Sequence, residues 1–95
     1  MRDYEVIYIL DPVLEDERVN ALVENYSNLI TNNGGEVVNV DRWEKRKLAY
    51  EIKGKREGLY VVMAFRAASE VRSELDRMMR ISEGVIRHMI VRPEE

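Results

Sequence analysis

The feature that most constrains this chain is how its apolar spacing alternates. Tyr4, Val6, Tyr8 and Leu10 recur at every second position within a β-branched and aromatic stretch, which predicts a strand over Tyr4–Leu10. Asp11-Pro12 ends it, because proline lacks an amide donor and restricts the residue before it. Leu14, Val19, Leu22, Val23, Tyr26, Leu29 and Ile30 then follow at the three-and-four spacing of one helical face. Glu15, Asp16 and Glu17 fall in the first turn, where the helix dipole favours anions, and Asn32-Asn33-Gly34-Gly35 stops the helix. A long extended stretch, Glu36–Ile52, leads into a loop over Lys53–Gly58 with glycines at both Gly54 and Gly58. Leu59–Arg66 reads as a third strand. Ser69 is the expected N-cap of a second helix that turns Val71, Leu75, Met78 and Met79 inward. Val85–Arg92 is the last strand.

The order β-α-β-β-α-β in a chain this short is most economically an α+β ferredoxin-like sandwich: a four-stranded antiparallel sheet with both helices on one face. Right-handed crossovers put the first and third strands at the centre and the second and fourth at the edges. One domain is expected over 1–92, with a short tail at 93–95. The chain has 95 residues and no cysteine, so disulfides and thiolate-held zinc are excluded. With 45% hydrophobic residues, a core must do the work alone. The opening Met1-Arg2-Asp3-Tyr4-Glu5 is unlike a secretory leader and no apolar run suggests a membrane span, so a soluble cytoplasmic chain is expected.

Alternation also sorts side chains between the helix-covered face and the open one. Because a buried unpaired charge is very costly, Glu5, Arg66 and Arg87 mark the open face, and Glu5 and Arg66 are placed to pair across strands. Ile7, Ile9, Tyr60, Val62, Ala64, Met89 and Val91 share that face. Such an apolar surface suits a protein partner, although central strands are often apolar on both sides.

Charge is equally uneven. The whole chain carries -3, yet residues 1–41 hold nine acids against two bases, while residues 42–56 hold seven bases against two acids. Basic residues so concentrated suit either a solvated edge strand guarded against pairing or contact with phosphate.

Catalytic chemistry is sparse. His88, the only histidine, falls on the helix side of the last strand with no nucleophile beside it, as a satisfied, partly buried core histidine would. The Asp11-Pro12-Val13-Leu14 loop has no glycine cradle for a phosphate. No enzyme activity, cofactor, metal or small-molecule substrate is expected. An RNA-recognition module shares the topology, but Leu59 and Val61 stand where stacking aromatics belong.

Tyr4-Glu5-Val6, Leu10-x-Pro12-x-Leu14, Gly34-Gly35, Trp43-Glu44-x-Arg46-Lys47-Leu48-Ala49-Tyr50-x-Ile52, Gly58-x-Tyr60, Arg80-Ile81 and Val85-x-Arg87-x-Met89-x-Val91 are more specific in this order. In these motifs the chain resembles the bacterial small-subunit ribosomal protein S-six family. The resemblance implies a non-enzymatic structural constituent of the small ribosomal subunit. It further implies binding to the central domain of small-subunit ribosomal RNA, cooperatively with ribosomal protein S-eighteen. The alternative is a stand-alone regulatory or RNA-recognition-type binding module. For RNA the expected residues are Arg2, Arg46, Lys47, Lys53, Lys55, Arg56, Arg87 and Arg92, contacting phosphate and sugar rather than bases. For the protein partner they are Trp43, Leu48, Ala49, Tyr50, Val62 and Met89, with a core-edge role for Trp43 equally open.

Overall fold

The computed structural model describes residues 1–93. Its elements are β1 (Arg2–Leu10), α1 (Asp16–Asn32), β2 (Glu36–Ile52), β3 (Lys55–Ala67), α2 (Ser69–Ile81) and β4 (Val85–Val91). The strands form one antiparallel sheet in the order β2-β3-β1-β4. This is the expected ferredoxin-like β-α-β-β-α-β arrangement, with β1 and β3 central. Of the tail expected at 93–95, Glu94 and Glu95 lie outside the described residues.

The two periods of the sequence meet in the core. Tyr4, Val6, Tyr8 and Leu10 of β1 and Val61, Met63 and Phe65 of β3 pack against Val19, Leu22, Tyr26 and Ile30 of α1 and Leu75 and Met79 of α2. Both helices therefore cover one side of the sheet. Tyr8 and Tyr26 meet edge to face at 5.4 Å, and Tyr4 lies against Phe65 at the same separation. Gly34 takes a φ of +81° just past α1, the left-handed conformation that lets the chain turn into β2. Met78 is not inward: it is 37% exposed, because its neighbour Met79 takes the buried position.

Further local expectations are corrected. Ser69 is the first helical residue and not the cap; Ala68 caps α2 with extended backbone and no side-chain hydrogen bond. The connection between β2 and β3 is only Lys53-Gly54, both at positive φ (49° and 78°), as a two-residue hairpin turn requires. Gly58 therefore belongs to β3, where Ile9 occupies the space a Cβ would need. Arg66 pairs with Asp3 at 3.0 Å and not with Glu5, since the register sets Asp3 opposite Arg66 and Glu5 opposite Ala64. At the start of β4 a register shift beside Ile9 and Leu10 sets Val85 opposite Leu10, in the core. Ile86 consequently lies near Ile9 on the uncovered side rather than with His88 and Ile90.

Candidate nucleic-acid and partner interface

The β2–β3 ladder outruns the rest of the sheet. β1 ends opposite Leu59, so Arg46–Glu57 projects as an arm held by its own backbone ladder. The pairing of β2 with β3 shifts register in three places, between Val37 and Asn39, Arg42 and Lys45, and Lys47 and Ile52. Such irregularities bend and twist a ribbon. Here they turn the arm across the uncovered face, where Arg87 of β4 donates a hydrogen bond to the Tyr50 hydroxyl.

Under that arm lies a groove of about 250 Å³ whose walls are mostly apolar. Ile7 and Ile9 form its floor, Leu48, Tyr50 and Ile52 its arm side, and Met89, about half exposed, the far side. The apolar open face expected from alternation is thus present, narrowed to a groove by a strand that folds over it.

At the root of the arm three side chains are layered. Trp43 stacks on Tyr60 at 5.8 Å and 16°, and its indole Nε1 donates to Asp41 Oδ2 at 2.9 Å. The Arg46 guanidinium carbon sits 4.6 Å from the centre of the Trp43 ring. A flexible cation is thereby held on an aromatic plate, an attraction of about 0.5–1 kcal/mol at an exposed site. Trp43 faces the uncovered side and not the core edge, because Tyr60 is opposite Ile9 on that side.

The expected basic residues divide into two sets. Arg46, Lys47, Lys53 and Arg56 are exposed on the arm, with Lys53 at its tip, and Arg87 joins them through Tyr50. Lys55 is drawn inward to Asp11 at 3.4 Å, fastening the arm to the end of β1. Arg2 and Arg92 stand at the other end of the sheet, beyond the pairs Asp3–Arg66 and Glu5–Val91. Arg42, the first residue of the basic stretch, donates to Asn20 Oδ1 at 2.6 Å and ties β2 to α1. Of the expected partner-facing residues, Leu48, Ala49, Tyr50 and Met89 line the groove, whereas Val62 lies outside it, opposite Ile7. Ile52, another wall of the groove, was absent from the expected set. Its strand was legible, but the curl that brings it over the uncovered face depends on the bulges, which alternation does not reveal.

His88 is a satisfied histidine: its Nε2 lies 2.7 Å from Asp76 Oδ1 on α2, with the side chain 15% exposed. That hydrogen bond is the main cause holding the Asp76 carboxyl below its usual range, with Arg80 adding to it against the opposing effect of burial. Among the described residues no three histidine, aspartate or glutamate side chains converge as metal ligands.

A helix-backed sheet with a basic arm over an apolar groove has the build of a binding domain. Its relatives make this specific. The family described as Ribosomal protein S6 matches residues 3–92. The Small ribosomal subunit protein bS6 of Desulforudis audaxviator is 54% identical over 94 residues, 99% of this chain and 100% of that protein. The protein of the same name from Carboxydothermus hydrogenoformans is 50% identical over 95 residues, 100% of this chain and 99% of the relative. A crystal structure of 30S ribosomal protein S6 from Thermotoga maritima superimposes with a TM-score of 0.91 at 34% identity, covering 98% of this chain and 88% of that one. The chain belongs to the Ribosomal protein S6 family, a family of ribosomal structural proteins and not of enzymes.

Proposed function

We propose that this protein is a structural constituent of the small ribosomal subunit in the cytoplasm, binding the central domain of its RNA cooperatively with ribosomal protein S-eighteen. The unit responsible is a single domain over residues 1–92. The observation that carries the reading is the juxtaposition of a basic arm with an apolar groove at its base, on a sheet face the helices leave uncovered.

Each half has a distinct physical task. Arg46, held on Trp43, and Arg87, held on Tyr50, present guanidinium forks suited to phosphate oxygens, while Lys47, Lys53 and Arg56 add charge along the same arm. These contacts fix register and carry little base information. With a net charge of -3, the protein alone binds RNA feebly and salt-sensitively. S-eighteen covers the groove over Ile7, Ile9, Leu48 and Met89, removes apolar surface from water, and lowers the repulsion between RNA and this acidic protein.

The test is the double reversal Arg46→Glu with Lys47→Glu, titrated against a central-domain RNA fragment with S-eighteen present. Loss of two phosphate contacts should weaken binding at least about tenfold and flatten the salt dependence by about two units of slope. Unchanged affinity and slope would remove the arm from the RNA site.

A further inference from the structure

The register shift between Arg42 and Lys45 brings together two side chains that strict alternation would send to opposite faces. Arg42 stands opposite Val61 and Lys45 opposite Leu59, so β2 takes three steps where β3 takes two. One residue of β2 is therefore extra, and the facing of the strand is reset across it. Trp43 and Arg46, three positions apart, consequently meet: Trp43 stacks on Tyr60, and Arg46 lies over Trp43.

The outcome is a layered stack whose last member is a cation. Tyr60 backs the half-buried indole at 5.8 Å and 16°, and the Nε1 bond to Asp41 at 2.9 Å fixes the direction of the ring. The exposed Arg46 guanidinium carbon lies 4.6 Å from the indole centre. Among the described residues no carboxylate pairs with Arg46, and Gly58, opposite it on β3, has no side chain to reach it. A guanidinium is flat and weakly hydrated, and its N–H groups point outward in its own plane. Its broad surface can therefore take a second π system while its rim still donates to an anion.

We propose that an unpaired nucleobase of the ribosomal RNA stacks on the outward side of the Arg46 guanidinium, as a further layer over Trp43 and Tyr60, while the guanidinium rim holds a neighbouring phosphate. The inference rests on the RNA-binding reading given above and deepens it: the root of the arm takes a base as well as backbone. Unpaired bases are commonly held on aromatic and guanidinium planes. Every base has a π-face, so such a stack adds affinity without reading sequence. A base fits here better than the protein partner. Neither Trp43 nor Arg46 lines the groove, and an apolar cover would strip the cation of water without pairing it.

The experiment titrates Arg46→Lys, Trp43→Leu and the arm reversal against the central-domain RNA fragment with S-eighteen present, and measures direct binding of S-eighteen to each variant. Arg46→Lys keeps the charge and loses the flat surface; Trp43→Leu keeps Arg46 and removes its support. Thermal unfolding checks that both fold. A matched set of RNAs carries an abasic site at each unpaired nucleotide in turn. Arg46→Lys and Trp43→Leu should each weaken RNA binding about five- to tenfold, the scale of one lost base stack. The salt slope should stay as in the parent, because no charge is removed. One abasic RNA should weaken the parent by a similar factor and erase the difference between parent and Arg46→Lys. If Arg46→Lys is weaker on every abasic RNA alike, the guanidinium serves phosphate alone and the base site is overturned. If both variants bind like the parent while the arm reversal does not, the stack holds no base and the arm reading stands. If the arm reversal is also silent, the RNA reading fails and this inference with it. A loss confined to S-eighteen binding would assign the stack to protein and overturn the proposal.

Discussion

The helix-backed half of this molecule and its arm are built on opposite terms. In the first, sheet and helix side chains from Tyr4 to Met79 are at most 4% exposed and bury one another. In the second, from Arg46 to Glu57, no residue is buried, and the fastenings are the Tyr50–Arg87 hydrogen bond and the Lys55–Asp11 pair. Stability thus resides almost wholly in one region, and surface available for partners in the other. The arm's shape is kept by a hairpin ladder with a register shift between Lys47 and Ile52, which needs little core. A chain divided in this way can present charge and apolar surface together without weakening its fold.

The division is broken or sharpened most strongly by a pair of leucine substitutions. Leu75→Ala removes a fully buried side chain from α2 and should cost about 2–5 kcal/mol in urea unfolding, with RNA affinity of the folded protein unchanged. Leu48→Ala, in the half-exposed wall of the groove, should cost under about 1 kcal/mol and instead weaken S-eighteen binding. Equal stability losses would show that the arm is part of the core.

That asymmetry also explains what could be read beforehand. The strand and helix order was legible because the buried faces of β1, β3 and α1 keep strict spacing, as with Val6, Tyr8 and Leu10 against Val19, Leu22 and Tyr26. The limits of β2, Glu36–Ile52, were equally plain from its extended apolar run and flanking glycines. The groove was half legible: Ile7, Ile9, Tyr60 and Met89 sort to the open face by alternation alone. Ile52 and the layering of Arg46 on Trp43 were not, because both depend on bulges that break the period.

Gly58 sits where the two regions join, and its replacement comes next in size. A Cβ there meets Ile9 Cγ2, a side chain made stiff by β-branching, with Ile86 Cδ1 at 3.6 Å. Gly58→Val should destabilise by about 1–3 kcal/mol and push Ile9 into the groove, lowering S-eighteen affinity as well. It is the substitution expected to move both readouts together. A variant that lost stability alone would show that Ile9 yields away from the groove.

Within the core, Tyr8 offers a smaller and opposite effect. Its hydroxyl is buried without a hydrogen-bond partner among the described residues, and burial raises its pKa far above the ordinary tyrosine value, with Tyr26 adding to the rise. Tyr8→Phe keeps the edge-to-face contact with Tyr26 and removes the unsatisfied group. Stability should rise by about 1 kcal/mol, read as a higher denaturation midpoint, and RNA binding should stay as it was. A loss of stability would mean that water reaches the hydroxyl.

The smallest expected effect concerns how α2 is held to β4. Asp76 accepts from His88 and pairs with Arg80, and its folded-state pKa lies below the ordinary 3.8. A depressed carboxylate pKa contributes stability that is present above the unfolded value and lost as pH falls through the folded one. Asp76→Asn removes that contribution, at a cost of about 1 kcal/mol or less for a pair this near to solvent. The gap between parent and variant should therefore hold steady around neutral pH and close below about pH 3.8, as the parent's carboxyl becomes protonated. Paired urea titrations from neutral pH down into the acid range measure it. A gap that persists at the acid end would mean the amide fails to fill the carboxyl's space, so that packing against His88, rather than charge, joins helix to strand.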